Sequence, residues 1–244
     1  MFLLACFLAI LKFSQQQTVE VWTSEPNRNL WFSQQVPQEF VDDIPSSTTY
    51  SIYVRESVRY QTMDGFGASL TDASCWLLLN KLTEPVRNEI LQKLFSTNGI
   101  GLSLLRQPIG ASDFGWESWS LDDTPNNVDD WNLSSFSLWR EDAYIRPILD
   151  QALNVNRERI KLMASPWSPP AWMKTGKNLF GGSGGTLRAE CYDVYADYFV
   201  KFLQAYESKG SPVYAITPQN EPQYAPNSYP GMLMSAQNQI GFIR

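Results

Sequence analysis

The pattern of hydrophobic and polar positions changes character near residue 61. Before that point, residues 18–23 and 49–54 alternate between polar and apolar side chains, which predicts β-strands, and no helical period is present. After it, short apolar runs alternate with segments of helical period. The pattern therefore predicts a β-rich segment over residues 18–60, followed by an α/β domain over residues 61–244.

Four strands are predicted in the second part, at residues 63–69, 102–106, 160–164 and 213–217. Helices are predicted between them. Thr83 can cap a helix with Val86, Ile90 and Leu94 on one face. Two further helices have apolar positions at Ile145, Ile148, Leu149 and Ala152, and at Tyr192, Tyr195, Ala196, Phe199, Leu203 and Tyr206, and residues 235–244 can begin another.

Four successive β/α repeats imply a parallel sheet with right-handed crossovers. Polar, aromatic and proline residues gather after each strand rather than before it. That asymmetry is typical of a (β/α)8 barrel of the TIM type, whose site lies at the carboxyl ends of the strands. An open doubly wound sheet is the alternative, but no G-x-G-x-x-G follows the first strand, so a dinucleotide site has no support. The glycine run at 181–185 lacks a phosphate-loop lysine and is interpreted as a flexible rim loop.

The stretch V-Y-A-I-T-P-Q-N-E-P-Q-Y, residues 213–224, is the strongest candidate for chemistry. Pro218 ends the strand, and Pro222 prevents a helix from starting at once. Asn220 and Glu221 lie between the two prolines, at the end of the strand where α/β barrels place their active sites. A carboxyl group beside an amide is the arrangement that an acid/base residue for sugar cleavage requires.

Composition removes several other chemistries. The chain of 244 residues contains no histidine, which excludes Ser-His-Asp and Cys-His catalysis and histidine-based zinc sites within it. Its three cysteines show no C-x-x-C spacing, so we predict no metal and no cofactor. The net charge of −6 argues against nucleic acid as a partner. Carboxylates are left as the main groups for proton transfer near neutral pH.

Residues 2–11 form an apolar run that is too short to span a bilayer, so residues 1–17 are predicted to be a signal peptide and no transmembrane segment is expected. A buried N-terminal strand or helix is the alternative. In an oxidising compartment Cys75 and Cys191 could form a disulfide, and two free buried thiols are the other possibility. Asn132 begins an acceptor sequence for N-glycosylation, which is consistent with secretion.

Four ordered motifs resemble those of glycoside hydrolase family 30, which includes glucosylceramidases and endo-β-1,6-glucanases. They are D-G-F-G-A-S-L-T-D-A-S at 64–74, L-L-R-Q-P-I-G-A-S-D-F at 104–114, A-S-P-W-S-P-P-A-W-M-K-T at 164–175 and I-T-P-Q-N-E-P at 216–222. The resemblance implies a TIM barrel with a β-sandwich side domain, of which residues 18–60 would be the N-terminal part.

The resemblance also implies roles for individual residues in a retaining mechanism. Glu221 would be the catalytic acid/base, and Asn220 would hold the 2-hydroxyl of the sugar. Asp113 and Trp167 match positions that bind the other hydroxyls, and Arg106 matches a position on the pocket floor. Aromatic side chains that could stack on sugar rings, or simply pack in the core, are Tyr224, Trp116, Trp119 and Trp172.

The family's nucleophile is a glutamate at the end of the seventh strand, and only four strands are predicted before Arg244. We therefore expect a barrel truncated after about four β/α units, with the nucleophile missing from this chain. The implied function is retaining hydrolysis of a β-glucoside or β-glucan, with glucosylceramide as one alternative. The competing hypothesis is a non-catalytic carbohydrate-binding or inactive truncated product. The expected location is extracellular, or lysosomal for a glucosylceramidase.

Overall fold

The computed structural model describes residues 18–40 and 52–243. The predicted signal peptide, residues 1–17, and the beginning of the predicted strand, residues 49–51, lie outside the described residues. The chain divides into two compact units, with the boundary between Gln61 and Thr62.

The first unit contains short strands within its described residues: β1 (Thr18–Val19), β2 (Trp22–Glu25), β3 (Leu30–Gln34) and β4 (Gln38–Glu39). They form two antiparallel pairs, β1 with β4 and β2 with β3. β-strands are thus confirmed in this region, and the sandwich stays a prediction. Residues 52–54 form no strand, so that part of the predicted strand over 49–54 is wrong.

The second unit combines parallel strands with helices. Its strands are β5 (Leu104–Ile109), β6 (Lys161–Pro166) and β7 (Val213–Ile216). Its helices are α1 (Asp72–Asn80), α2 (Glu84–Phe95), α3 (Trp139–Ala143), α4 (Ile145–Asn156), α5 (Gly181–Gly184), α6 (Tyr192–Ser208) and α7 (Ala236–Ile243).

The sheet has the order β5-β6-β7, and both pairs are parallel. Leu104 is opposite Lys161 and Ile109 is opposite Pro166, so β5 and β6 begin and end together. Ala164 pairs with Ile216, the last residue of β7. Because the strands are parallel, their carboxyl ends meet at one edge of the sheet. The predicted parallel α/β arrangement is confirmed for these three strands.

The predicted first strand, residues 63–69, is wrong as a regular strand. It runs beside β5 but forms a single parallel bridge, between Ser69 and Arg106. The Phe66 carbonyl accepts from both Ser103 N, at 2.8 Å, and Leu104 N, at 3.2 Å, which makes the ladder irregular. Gly67 allows this close approach, because a Cβ there would lie 1.5 Å from the Leu104 carbonyl oxygen.

The helix predicted after Thr83 is confirmed as α2, but its buried face is shifted. Leu91 and Phe95 are buried, whereas Val86 is exposed. Arg87 lies on the same stripe as the two buried residues, and its Nε donates to Gln151 Oε1 of α4 at 3.1 Å. A polar residue that joins two helices therefore occupies a position where the periodicity alone would expect an apolar one.

Helices α4, α6 and α7 agree with the predicted segments. All four predicted apolar positions of α4 are buried. In α6, Tyr195, Phe199 and Tyr206 are buried as predicted, while Ala196 is exposed and Leu203 is half-buried. The predicted flexible rim loop at 181–185 is wrong in part, because residues 181–184 form the short helix α5 with two buried glycines.

A buried polar pair lies inside the core. Glu141 of α3 has no exposed surface, and the Tyr206 hydroxyl of α6 donates to Glu141 Oε2. Burial raises the pKa of Glu141 to about 8, since a charged carboxylate is poorly solvated there.

The alternatives for the cysteines are resolved in favour of free thiols. Cys75 and Cys191 are both buried and unpaired, so the disulfide hypothesis is wrong. Burial raises the pKa of Cys75 to about 12 and that of Cys191 to about 11. Both thiols are therefore protonated and unreactive at neutral pH.

Candidate active site

The carboxyl ends of the parallel strands bring together residues that are far apart in the sequence. Arg106 lies within β5, Trp167 directly follows β6, and Asn220 and Glu221 follow β7. A cleft of about 190 Å³ opens at this edge. It is lined by Ser69, Thr71, Arg106, Asp113, Phe114, Trp167, Asn220 and Glu221. The structure thus places Glu221 in one cleft with four of the five predicted substrate-binding residues.

Arg106 of β5 connects to β6 and to the loops that follow β6 and β7. Its Nη2 donates to Asn220 Oδ1 at 2.6 Å and to Ser165 Oγ at 3.4 Å. The guanidinium carbon lies 4.5 Å from the centre of the Trp167 ring, over its face. Burial lowers the pKa of Arg106, and the negative charges of Asp113 and Glu221 act in the opposite direction. The cleft therefore combines a fixed cation with two carboxylates.

The path of the chain from β7 to Asn220 is fixed by hydrogen bonds to the neighbouring strand. Thr217 N donates to the Ala164 carbonyl at 2.9 Å, and Asn220 N donates to the Pro166 carbonyl at 2.8 Å. Gln219 is buried, and its Nε2 donates to the carbonyls of Trp167, at 2.7 Å, and Asn220, at 3.0 Å. These bonds fix the backbone that presents Asn220 to Arg106.

Glu221 has an unusual backbone for a non-glycine residue. Its φ is +43°, in the left-handed region that disfavours side chains with a Cβ. The turn that follows is closed by Tyr224 N, which donates to the Glu221 carbonyl at 2.9 Å. The Glu221 side chain is exposed and lines the cleft. Backbone strain of this kind clusters at functional sites, where the surrounding structure maintains it.

The aromatic candidates separate into two groups. Trp119 and Trp172 are buried, and Trp172 Nε1 donates to Asp122 Oδ2 at 2.9 Å, so both are core residues and the stacking hypothesis is wrong for them. Tyr224 and Trp116 are exposed. Neither lines the cleft; Tyr224 belongs to the turn after Glu221, and Trp116 packs edge-on against Trp76.

Sequence reasoning missed two residues next to this cleft. Gln219 lies inside the motif at 216–222 but was given no role in the site, because a polar residue between two prolines is expected in any loop. Tyr229 lies in the Pro-rich segment after the motif, and the sequence does not indicate that it is close to Glu221. Partial burial raises the pKa of Tyr229, and the nearby Glu221 carboxylate raises it further.

A larger cavity of about 410 Å³ lies elsewhere in the second unit. It is lined by Ala196, Phe199, Val200, Leu203, Ile216, Pro218, Phe242 and Ile243. None of these side chains can exchange a proton or carry a charge, so this cavity cannot support acid/base chemistry.

No cluster of three potential metal-ligating side chains occurs in residues 18–40 and 52–243. Over the same ranges, none of the helices has both the length and the apolar surface that crossing a bilayer requires.

Comparison with known proteins gives the class to which the fold and the cleft belong. Residues 63–244 match the Glycosyl hydrolase family 30 TIM-barrel domain, so the chain belongs to glycoside hydrolase family 30. The resemblance stated from the four motifs is confirmed.

Three relatives illustrate the range of the family. The chain is 39% identical to mouse lysosomal acid glucosylceramidase over 169 residues, which are 67% of this chain and 32% of the relative. It is 33% identical to the endo-1,6-β-D-glucanase BGN16.3 of Trichoderma harzianum over 210 residues, which are 82% of this chain and 42% of the relative. The solved structure of the endo-β1,6-glucanase BT3312 superimposes with a TM-score of 0.70 at 32% identity, covering 92% of this chain and 47% of the other. The chain thus spans between about a third and a half of the length of these relatives.

Proposed function

We propose that this protein takes part in retaining hydrolysis of β-linked glucosides, with Glu221 as the catalytic acid/base. The observation that supports this most strongly is the cleft itself. Glu221, Asp113, Asn220, Arg106 and Trp167 converge there from segments that follow or lie in three different strands. Family membership supports the class of reaction, and the shared cleft supports the choice of these residues.

In the proposed mechanism Glu221 first protonates the oxygen of the departing group, and then removes a proton from the water that releases the sugar. Both steps need a carboxyl group with access to solvent and substrate. The exposed side chain of Glu221 and its place in the cleft fit that requirement. Glu221 has a left-handed backbone and lies in a turn that is fixed before and after it. Asn220 N is bonded to the Pro166 carbonyl, and Tyr224 N to the Glu221 carbonyl.

The remaining cleft residues are proposed to hold the sugar. Asn220 would bind the 2-hydroxyl through its amide nitrogen, since its Oδ1 already accepts from Arg106. Asp113 would accept hydrogen bonds from other hydroxyl groups. The Trp167 indole Nε1 is buried and has no partner among the described residues, so the ring would have to move for this N–H to donate to a ligand. Tyr224, in the turn after Glu221, would contact the part of the substrate beyond the cleft.

Retaining chemistry also needs a nucleophilic carboxylate about 5–5.5 Å from the acid/base. The family resemblance predicts it on a later strand, so activity should be measured on the product of the complete reading frame of the gene.

Two substrate classes are proposed because the relatives' names differ. One relative is named a glucosylceramidase and two are named endo-1,6-β-glucanases. Hydrolysis of glucosylceramide in detergent micelles and of a β-1,6-linked glucan, measured side by side, distinguishes them. A location in the secretory pathway or the lysosome is proposed with them, and detection of the mature N-terminus by mass spectrometry tests the predicted cleavage near residue 17.

The experiment that tests the proposal compares Glu221→Gln with Glu89→Gln. Glu89 is a matched control, because it is an exposed glutamate on α2 paired with Lys93 at 2.7 Å and lies outside the cleft. We expect Glu221→Gln to lower kcat on an activated aryl β-glucoside by ~10²–10⁴-fold, the usual contribution of an acid/base residue. Glu89→Gln should not change it. Equal rates for the two variants would refute the assignment.

The competing hypothesis, a non-catalytic carbohydrate-binding protein, is favoured only by the exposed aromatic residues near the cleft, Phe114 and Tyr224. Calorimetric titration of this chain with β-glucan oligomers tests that hypothesis. A carbohydrate-binding protein would bind the oligomers, whereas an inactive product would bind none of them.

A further inference from the structure

A lysine in the loop after β6 is buried in a way that the proposed chemistry does not explain. Lys174 has no exposed surface, although lysine is almost never fully buried unless it is paired with an acid. Among the described residues, no carboxylate lies within salt-bridge distance of it. Instead, its Nζ lies within hydrogen-bond distance of four oxygen atoms, those of the Gly231 carbonyl at 2.7 Å, the Leu179 carbonyl at 3.0 Å, the Ser168 hydroxyl at 3.2 Å and the Phe180 carbonyl at 3.3 Å. Its three N–H groups are shared among these four acceptors.

These acceptors belong to two different loops. Ser168, Leu179 and Phe180 follow β6, whereas Gly231 follows β7. The same two loops are also joined by backbone hydrogen bonds, from Gly231 N to the Leu179 carbonyl at 3.0 Å and from Gly182 N to the Pro226 carbonyl at 3.0 Å. The Lys174 side chain therefore links the two loops, in addition to the backbone hydrogen bonds between them.

Gly184 leaves room for the Lys174 ammonium group. A Cβ added at Gly184 would lie 2.3 Å from Lys174 Nζ and 2.1 Å from the Asn178 carbonyl oxygen. Glycine in α5 thus keeps the space into which the lysine reaches. Burial lowers the pKa of Lys174 to about 7, because a buried charge without a carboxylate partner is unfavourable. The charged form therefore depends on the four oxygens that are held in place around it.

The second of the two loops returns to the catalytic residue. Met234 N donates to the Pro222 carbonyl at 2.8 Å, which closes the segment that begins directly after Glu221. Within that segment, Tyr229 lies near the Glu221 carboxylate. Movement of Gly231 away from Lys174 would therefore move Tyr229 relative to Glu221.

We propose that Lys174 is a positioning residue for the acid/base: its ammonium clamps the loop after β6 to the loop after β7, and so holds Tyr229 against Glu221. This inference rests on the proposed function of Glu221. Lys174 itself contacts no substrate, because it is fully buried. Its effect should appear in reactions that need a well-placed proton donor, and be small in reactions that do not.

The test compares two substrates within one preparation of each variant. A 2,4-dinitrophenyl β-glucoside has a leaving group that departs without a proton, whereas a phenyl β-glucoside depends on the acid. The value of kcat/KM is measured for both substrates in three proteins: the wild type, Lys174→Met and the control Lys177→Met. Lys177 is a matched control, since it lies in the same loop with a half-exposed side chain that bonds Asn127 and Asp129. The ratio of the two values is independent of how much protein is folded.

Lys174→Met should lower kcat/KM for the phenyl substrate by ~10–100-fold, the scale expected from an ångström-sized displacement, and change that for the dinitrophenyl substrate by less than ~3-fold. Lys177→Met should leave the ratio as in wild type. An equal loss on both substrates, or none, overturns the proposal and indicates a purely structural lysine.

Tyr229→Phe supplies a second measurement that does not depend on the folding of Lys174→Met. Because the clamp is proposed to act through Tyr229, this variant should also lower the phenyl to dinitrophenyl ratio, and an unchanged ratio overturns the proposal by itself. The proposed function is judged separately by Glu221→Gln. If that variant is impaired while both ratios stay unchanged, the clamp fails and the acid/base assignment stands.

Discussion

Glu221 and Glu141 are the same residue type in opposite surroundings, since Glu221 is exposed and Glu141 is fully buried. Glu221 lies on a turn after β7, exposed in a cleft with Arg106 and Asp113. Glu141 lies on α3 with no exposed surface, and accepts a hydrogen bond from the Tyr206 hydroxyl. Glu141 has the strongly raised pKa that often marks catalytic acids, yet no substrate can reach it. Access and position therefore carry more weight than a shifted pKa in locating this site.

The largest effect within this comparison is expected from Arg106→Ala. Arg106 holds Asn220 through a 2.6 Å hydrogen bond and stacks on Trp167, so its removal leaves two side chains that are proposed to bind the sugar unpositioned. We expect kcat/KM on an aryl β-glucoside to fall by ~10²-fold. Arg106→Lys should restore only part of this, because an ammonium cannot reproduce the planar fork of the guanidinium.

Arg87→Ala is the control for this experiment, since Arg87 bonds Gln151 between two helices and does not line the cleft. A similar loss of activity in both variants, with equal thermal stability, would contradict the role given to Arg106.

Glu141→Gln sharpens the comparison from the other side, because it alters the buried carboxyl group while keeping its shape. We expect kcat/KM to stay within ~2-fold of wild type, since a change inside the core does not reach the cleft. A loss comparable to that of Glu221→Gln would show that the buried pair belongs to the catalytic machinery after all.

The same variant should change how stability depends on pH. The pKa of Glu141 rises from an ordinary 4.5 to about 8 on folding. Its contribution to stability is therefore fully present below about pH 4.5 and is lost as the pH rises towards 8, because the unfolded chain releases the proton first. Urea unfolding between pH 5 and pH 8 should show the free energy of unfolding of the wild type falling by up to about 1.4 kcal/mol per pH unit more than that of Glu141→Gln. Parallel pH profiles would contradict this.

The smallest effect concerns the thiol near the same buried pair. Cys75 has no exposed surface, and its pKa is raised to about 12 by burial. Peptide mapping after treatment with iodoacetamide at pH 8 should find Cys75 unmodified in the native protein and fully modified in urea. Rapid native labelling would show that this part of the core opens readily.

Much of the second unit was predictable because its strands and helices follow simple periodicities. Helix α4 is the clearest case, with Ile145, Ile148, Leu149 and Ala152 all buried as expected. Helix α2 shows the limit, because Arg87 uses a core-facing position for a polar bond to α4. Residues 63–69 show another, since Gly67 allows backbone contacts that a regular strand lacks. Propensity cannot anticipate either arrangement, because both depend on a partner distant in the sequence.

The candidate site divides in a similar way. Glu221, Asn220, Asp113, Trp167 and Arg106 were identified from motifs, and the structure brings them to one cleft. Lys174 gave no signal of its own, although it lies inside one of those motifs, because a lysine in a loop is normally exposed. Trp119 and Trp172 were candidates for stacking, but the sequence could not distinguish a buried indole from an exposed one.

The central claim, that Glu221 is the acid/base, is tested most directly by azide rescue of Glu221→Ala in the product of the complete reading frame. Azide needs no general base to attack the sugar–enzyme intermediate, so it should restore turnover of a dinitrophenyl β-glucoside by ~10–10³-fold and yield a β-glucosyl azide, identifiable by NMR. Failure of azide to accelerate the variant, with no glycosyl azide formed while wild-type activity is normal, would contradict the account.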